Sequence, residues 1–271
     1  MKSIISKLQK WIANQNVLSN LVIKLYNQTR IIIGYQFTQT KNFYKNGEFL
    51  LLNTLADQLN YIVDVGANSG DYIDSILSLM DYDKLTIDAY EPSVATFKLL
   101  SGKMSDYNGI NTYNIGLGSR KEEMIFYENP NYSETSSFVE ASIDGNTIPI
   151  TVLVDTIDNI YFDKGIVIDF MKIDTEGFDY NVLLGSEKML ASARIRFLQF
   201  EYNDAWKYAG NTLFSCLDLL IKNNFTTFII QPNGLFTFDY STYGEFFRYS
   251  NFFSVHEQSL DSIKEMIKGK R

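Results

Sequence analysis

A chain of 271 residues that is 45% hydrophobic and 15% aromatic can bury a full core, so disorder over most of its length is excluded. A formal net charge of -8 argues against a protein that grips nucleic acid through phosphates, because such domains carry a basic face. The single cysteine, Cys216, and single histidine, His256, rule out a disulfide framework or a zinc site and fit a reducing, cytoplasmic setting.

Residues 1–58 are predicted as a helical extension. Ile4, Ile5, Leu8, Trp11 and Ile12 recur on one helical face, with lysines elsewhere. Residues 1–28 are too interrupted by polar groups for a signal peptide or a membrane span. The helix is expected to pack on the domain or on a second copy of the chain, in preference to a membrane surface.

From residue 59 strand-like and helix-like runs alternate. "YIVDV" is an apolar run, and "YIDSILSLM" follows with Ile73, Ile76, Leu77 and Met80 on one face. "TIDAYEP" predicts a strand, "SVATFKLLSGKM" a helix with Val94, Phe97, Leu100 and Met104 in line, and "INTYNIG" a short strand. Between about 120 and 155, "EEMIFYEN" and "TIPITVLV" alternate like antiparallel or edge strands, with Ile148, Ile150, Val152 and Val154 on one side. "FMKIDTEG" and "RFLQFEYN" are buried strands around the helical "DYNVLLGSEKML". A helix near 210–223 leads to "FTTFII", the turn "QPNG", "LFTFDY" and "SNFFSV". Residues 259–271 read as a C-terminal tail.

Such a series calls for a mostly parallel, doubly wound α/β sheet with an antiparallel edge. Ligands in open α/β sheets bind at the carboxyl ends of the strands. That singles out Asp64 to Gly70, Glu91, Gly116, Asp174 to Glu176 and Glu201 to Asn203. The turn Gly66-Ala67-Asn68-Ser69-Gly70 lacks the G-x-G-x-x-G spacing that a pyrophosphate needs. Asp64 beside it is unwelcome near phosphates and welcome near a cation. S-adenosylmethionine, with its ammonium and sulfonium and no phosphate, suits such a turn. Glu91 can accept both ribose hydroxyls. Dinucleotide enzymes use an acid in the same way, so the turn discriminates and Glu91 does not. The plain structural alternatives are a tight turn for Gly66 and Gly70, a capping carboxylate for Asp64 and a solvated strand end for Glu91.

"VDVGANSGDY", "AYEPSVATFKLL", "NIGLGS", "SSF", "VLVDTID", "FMKIDTEGFDYNVLLGSEKML" and "FLQFEYN" together resemble the successive motifs of the FkbM family of S-adenosylmethionine-dependent methyltransferases. The resemblance runs over about residues 60–205, and its most specific pieces are "VDVGAN-G" and "KIDTEG". It implies a class I, Rossmann-like methyltransferase fold over residues 59–258 and O-methylation of a hydroxyl on a sugar, glycan or secondary metabolite. By position it implies that Asp64, Gly66, Asn68 and Gly70 line the methionine end and that Glu91 holds the ribose. Ile115, Gly116 and Leu117 then lie nearest the adenine, and Asp174 and Glu176 beside the transferable methyl.

Removing the acceptor's proton calls for a base. The candidates are Asp174, Glu176 and Glu201, with Asp174 first and His256 a distant fourth. Asp174 reads equally well as a helix cap, with Thr175 in competition. Asp174, Glu176, Glu201 and Asn203 also form an oxygen-ligand set for Mg²⁺, and paired carboxylates without a metal fit the same residues. Ser136 and Ser137 match the family's serine pair. Together with Tyr127, Tyr132 and Phe138, and with Tyr202, Trp206 and Tyr208, they either border an acceptor pocket or pack on the sheet. Rival readings on this topology are an NAD-linked oxidoreductase and a non-catalytic module of a glycan-assembly complex. A homo-oligomer is compatible with all three.

Overall fold

The computed structural model describes residues 2–37, 40–140 and 145–270. Its strands are Tyr61–Val65 (β1), Thr86–Tyr90 (β2), Ile110–Tyr113 (β3), Gly116–Leu117 (β4), Glu122–Glu128 (β5), Ile148–Asp155 (β6), Ile168–Ile173 (β7), Ile195–Tyr202 (β8), Phe225–Gln231 (β9), Gly234–Thr237 (β10), Ser250–His256 (β11) and Ile267–Lys270 (β12). Nine of them form one sheet in the order β12-β10-β9-β11-β8-β7-β1-β2-β3. The run β3-β2-β1-β7-β8 is parallel throughout. Its central strands read as unbroken apolar runs because both faces are covered: Ile62 packs in one core and Val63 in the other. This is the mostly parallel, doubly wound sheet that the alternating pattern predicts.

The register aligns the strand ends. Val65 stands opposite Tyr90 and Ile173, and Ile173 opposite Phe200. The next residue in each case is Gly66, Glu91, Asp174 or Glu201, so all four lie along one rim of the sheet.

The antiparallel part differs from a simple edge. β11 lies between β8 and β9, antiparallel to both, and every one of its residues is buried. A strand buried that completely needs a neighbour on each side. The expected tail, residues 259–271, carries β12, which pairs with β10 and follows a 3₁₀ stretch that buries Ile263 and Met266. A separate three-stranded sheet, β4-β6-β5, stands off the main one. Along β6 only Val152 and Val154 reach a buried position against Phe126, while Ile148 is exposed, so the expected apolar stripe fades into solvent.

The helices, in chain order, begin with Lys2–Ala13 (α1), Asn16–Phe37 (α2), Phe43–Asn46 (α3), Glu48–Leu55 (α4), Asp71–Leu77 (α5) and Val94–Met104 (α6). α5 buries Ile73 and Ile76. α6 buries Leu100 and Met104 and leaves Val94 exposed. The stretch "DYNVLLGSEKML" is two short helices, Asp179–Leu184 and Glu187–Ala191, because the chain turns at Gly185.

The expected extension, residues 1–58, is not one unit. α4 buries Leu51, Leu52 and Leu55 under the sheet. α2 touches the body through its last two turns, where Arg30 donates to the Phe246 carbonyl and Phe37 packs edge-on against Tyr243 and close to Phe238 and Phe246. α1 has no buried residue, so the expectation that it packs on the domain does not hold. Among the described residues no helix is long and apolar enough to cross a membrane.

Candidate active site

A cleft of about 310 Å³ opens along the aligned rim. It is lined by Gly66, Asn68 and Glu91, by Ile115, Gly116 and Leu117, and by Asp174, Glu176 and Glu201. Residues far apart in the chain thus meet in one space, at the place where the parallel sheet ends.

The turn after β1 needs glycine at its first position. Gly66 has φ +82°, and a Cβ there would lie 1.9 Å from the Asp174 carbonyl oxygen. This close approach ties the turn after β1 to the turn after β7. The Gly66 and Ala67 N–H groups both donate to the Tyr90 carbonyl, locking the turn to β2 as well. Asn68 takes a left-handed conformation, which its short polar side chain tolerates.

Glu91 is buried and its carboxylate is anchored. One oxygen accepts from the Asn68 N–H at 3.0 Å and the other from the Ser93 N–H at 2.9 Å. Each oxygen keeps a second lone pair for a ligand. Burial pushes this carboxyl up to about 7, against the two backbone hydrogen bonds that favour its charged form. It is not a solvated strand end.

Asp64 is fully buried and does not line the cleft. Neither of its oxygens has a hydrogen-bond partner among the described residues. Burial raises its pKa to about 6, partly offset by the Lys172 ammonium. Gly70 also lies behind the lining, where it starts α5 with φ +87°.

Lys172 organises the acidic side. It lies beside Asp64 in register, and its ammonium donates to Asp174 at 2.9 Å. The Tyr72 ring lies 4.7 Å away. Asp174 is therefore an ion-pair partner and not a helix cap. The turn after it is held instead by Asp179, whose carboxylate accepts from the Thr175 hydroxyl and the Gly177 N–H.

One ligand atom each from Asp174, Glu176 and Glu201 lies within 4.8 Å of the others. Asn203 donates its amide to Glu201 at 2.7 Å and to Glu176 at 3.2 Å, while its carbonyl accepts from the Ala205 N–H. Burial, with the neighbouring Asp174 charge, pushes Glu176 up to about 7. Burial likewise raises Glu201 well above the carboxylate range. Lys41, from the segment after α2, faces the pair and lies 4.7 Å over the Tyr249 ring.

A family model for the methyltransferase FkbM domain matches residues 64–227. The chain belongs to the FkbM methyltransferase family. Among solved structures, the FkbM methyltransferase of Methylobacillus flagellatus KT is 15% identical with a TM-score of 0.47, over 72% of this chain and 43% of that one. A methyltransferase from Streptococcus mutans in complex with SAH is 11% identical with a TM-score of 0.42, over 76% of this chain and 96% of that one. Aeropyrum pernix fibrillarin with natively bound S-adenosyl-L-methionine is 11% identical with a TM-score of 0.39, over 77% and 76%. No curated protein matches the chain.

In this FkbM chain the expected Mg²⁺ set does not fit its ion. Mg²⁺ asks for oxygen ligands in near-octahedral geometry. Asn203 turns its NH₂ toward the carboxylates and spends its oxygen on a backbone N–H, and Asp174 is already paired with Lys172. His256 is removed as a base. It ends β11 at the edge opposite the cleft and accepts from the Gln258 N–H. Trp206 and Tyr202 are fully buried core residues, and Tyr208 and Tyr132 are exposed. Of the serine region, Ser136 and Phe138 line the cleft, whereas Ser137 is buried and donates to the Glu176 carbonyl at 2.8 Å. Lys172 and Lys41 are the residues that sequence reasoning missed. Lys172 has a signal: it is the lone cation in a strand buried at all six positions, two residues before Asp174 and so on the same face.

Proposed function

We propose that this FkbM-family chain is an S-adenosylmethionine-dependent O-methyltransferase acting on a hydroxyl of a sugar, glycan or secondary metabolite. The observation that carries the reading is the acid-lined cleft itself. Glu91, Asp174, Glu176 and Glu201 line it, and of its two lysines one is ion-paired to Asp174. A dinucleotide pyrophosphate would meet carboxylates there, which disfavours the oxidoreductase alternative.

When bound, S-adenosylmethionine supplies a methyl group on a positively charged sulfur. The remaining chemistry belongs to the chain. Glu91 offers its free lone pairs to the ribose hydroxyls, with its position fixed by Asn68 and Ser93. The Gly66–Gly70 turn and the buried Asp64 carboxylate supply negative potential and close backbone approach at the methionine end. Ile115, Gly116 and Leu117 give an apolar wall for the adenine.

Proton removal falls to Glu176, with Glu201 as its partner. A base works best with a pKa near the working pH, and Glu176 is pushed up to about 7. Asp174, placed first on sequence grounds, is held in an ion pair by Lys172. Its role is to orient the acceptor hydroxyl. Asn203 fixes the Glu176–Glu201 pair, and Ser137 pins the Glu176 backbone.

The test is a thermal-shift titration with S-adenosylhomocysteine against NAD, followed by transfer of an isotopic methyl group to extracted glycans. Stabilisation by NAD alone would overturn the cofactor assignment, and binding without transfer would leave a non-catalytic module. Glu176→Gln is expected to lower turnover by ~10²-fold or more while keeping S-adenosylhomocysteine affinity. Unchanged turnover would remove it as the base.

A further inference from the structure

The N-terminal arm shows a charge and burial pattern that the cleft does not explain. Seven cations and no acid stand before Glu48, so a chain of net charge -8 divides into an arm of +7 and a body of -15. Within α1, Ile4, Ile5, Leu8 and Trp11 share one face and are all exposed, Ile4 at 73%. Lys2, Lys7 and Lys10 occupy the opposite side. The pattern continues in α2, where Val17 is 82% exposed and Leu21, Leu25 and Tyr26 are also open. Exposed apolar surface on this scale marks an interaction site.

We infer that α1 and the first half of α2 lie in the surface of an anionic lipid bilayer. An in-plane helix of this class carries lysines on its polar face and Trp, Leu or Ile on the other, and gains from both apolar burial and attraction to acidic headgroups. Trp11 suits the boundary, since its ring is apolar and its N–H seeks a wet partner. Pairing between the arms of two copies is disfavoured by the same charges: the open part of each arm would bring Lys2, Lys7, Lys10 and Lys24 and no carboxylate to meet them. The arm is also coupled to the cleft. α2 is held to the body at Gly34 and Phe37, and Lys41 shortly after it lines the cleft. A bilayer-bound arm therefore keeps the cleft close to the lipid surface. The inference stands independently of the methyl-transfer reading.

The full chain is floated with vesicles of phosphatidylcholine containing phosphatidylglycerol, and with phosphatidylcholine alone. It is expected to rise with the anionic vesicles, to stay down with the neutral ones, and to be released by high salt. Lys7→Gln is expected to weaken partitioning about fivefold. The chain has two tryptophans and Trp206 is fully buried, so a blue shift of emission on adding anionic vesicles reports Trp11. Leu8→Glu should abolish flotation and leave the thermal midpoint in place, because Leu8 is exposed on a helix that buries no residue. A chain that stays down with anionic vesicles, or whose emission does not move, overturns the inference. So does a dimer in sedimentation that Leu8→Glu splits, which would make a second copy the occupant.

Discussion

At the scale of single residues, Lys172 governs the charge balance of the cleft. One ammonium serves Asp174 directly and Asp64 and Glu48 through space, and it is nearly fully buried. Removing one partner of a buried pair leaves charge without compensation. Lys172→Met is therefore expected to cost about 3 kcal/mol of stability, read from urea unfolding. A loss within about 0.5 kcal/mol, the range of an ordinary surface substitution, would refute that account. Glu91 makes a different prediction. Ribose hydroxyls donate to its ionised form, and its pKa is raised to about 7. Affinity for S-adenosylhomocysteine should rise as pH increases through about 7 and fall below it. Glu91→Gln should bind more weakly and show no such step. Calorimetric titration across that window checks both, and a flat wild-type profile would separate Glu91 from the ribose.

At the scale of elements, the site depends on two turns touching. Gly66 meets the Asp174 carbonyl so closely that any side chain must push the turns apart, and its positive φ strains an L residue as well. Gly66→Ala is expected to lower stability by more than about 1–2 kcal/mol and to remove cofactor binding with it. Gly102 in α6 is the control, since a Cβ there meets nothing. Gly102→Ala should stabilise by about 0.5–1 kcal/mol, from the helix propensity of alanine. Chemical denaturation of both variants, with a thermal shift on S-adenosylhomocysteine, decides the matter. These turns were legible in the sequence because β1, β2, β7 and β8 are buried on both faces and end in glycine or acid. The order of the late strands was not legible. β11 carries Asn251 and Ser254 among its aromatics, and Ser254 finds its partner only when Thr227 of β9 lies alongside. "IKGK" has one apolar residue in four and reads as a tail, yet β10 offers it an open edge. The signal at Lys172, a lone cation in a buried strand, points to Asp174 two residues on, but Asp64 of β1 and Glu48 of α4 come beside it only through the fold.

At the scale of the molecule, the body is strongly acidic and several of its acids are buried. Glu48, Asp64, Glu91, Glu176, Asp179 and Glu201 all have pKa values raised above their ordinary range, each chiefly by desolvation. Above about pH 4.5 the unfolded chain releases these protons, while the folded chain still holds them until about 6 for Asp64 and about 7 for Glu91 and Glu176. The native state then binds more protons than the unfolded one, so stability falls as pH rises, by about 1.4 kcal/mol per pH unit for each extra proton held. Asp71 and Asp155 run the other way, with lowered pKa values, but their contribution is complete above about pH 4 and does not oppose the trend in this window. The protein without cofactor is therefore expected to have its highest thermal midpoint near pH 5 and to lose stability toward pH 8. The double variant Glu91→Gln with Glu176→Gln should flatten that slope, because two of the retained protons are no longer there to lose. Scanning calorimetry over this range is the measurement. A midpoint that climbs from about pH 5 to about pH 8 would mean that the buried acids are paired and charged, and that the cleft lacks the proton-holding carboxylates on which its assignment as a base-bearing site depends.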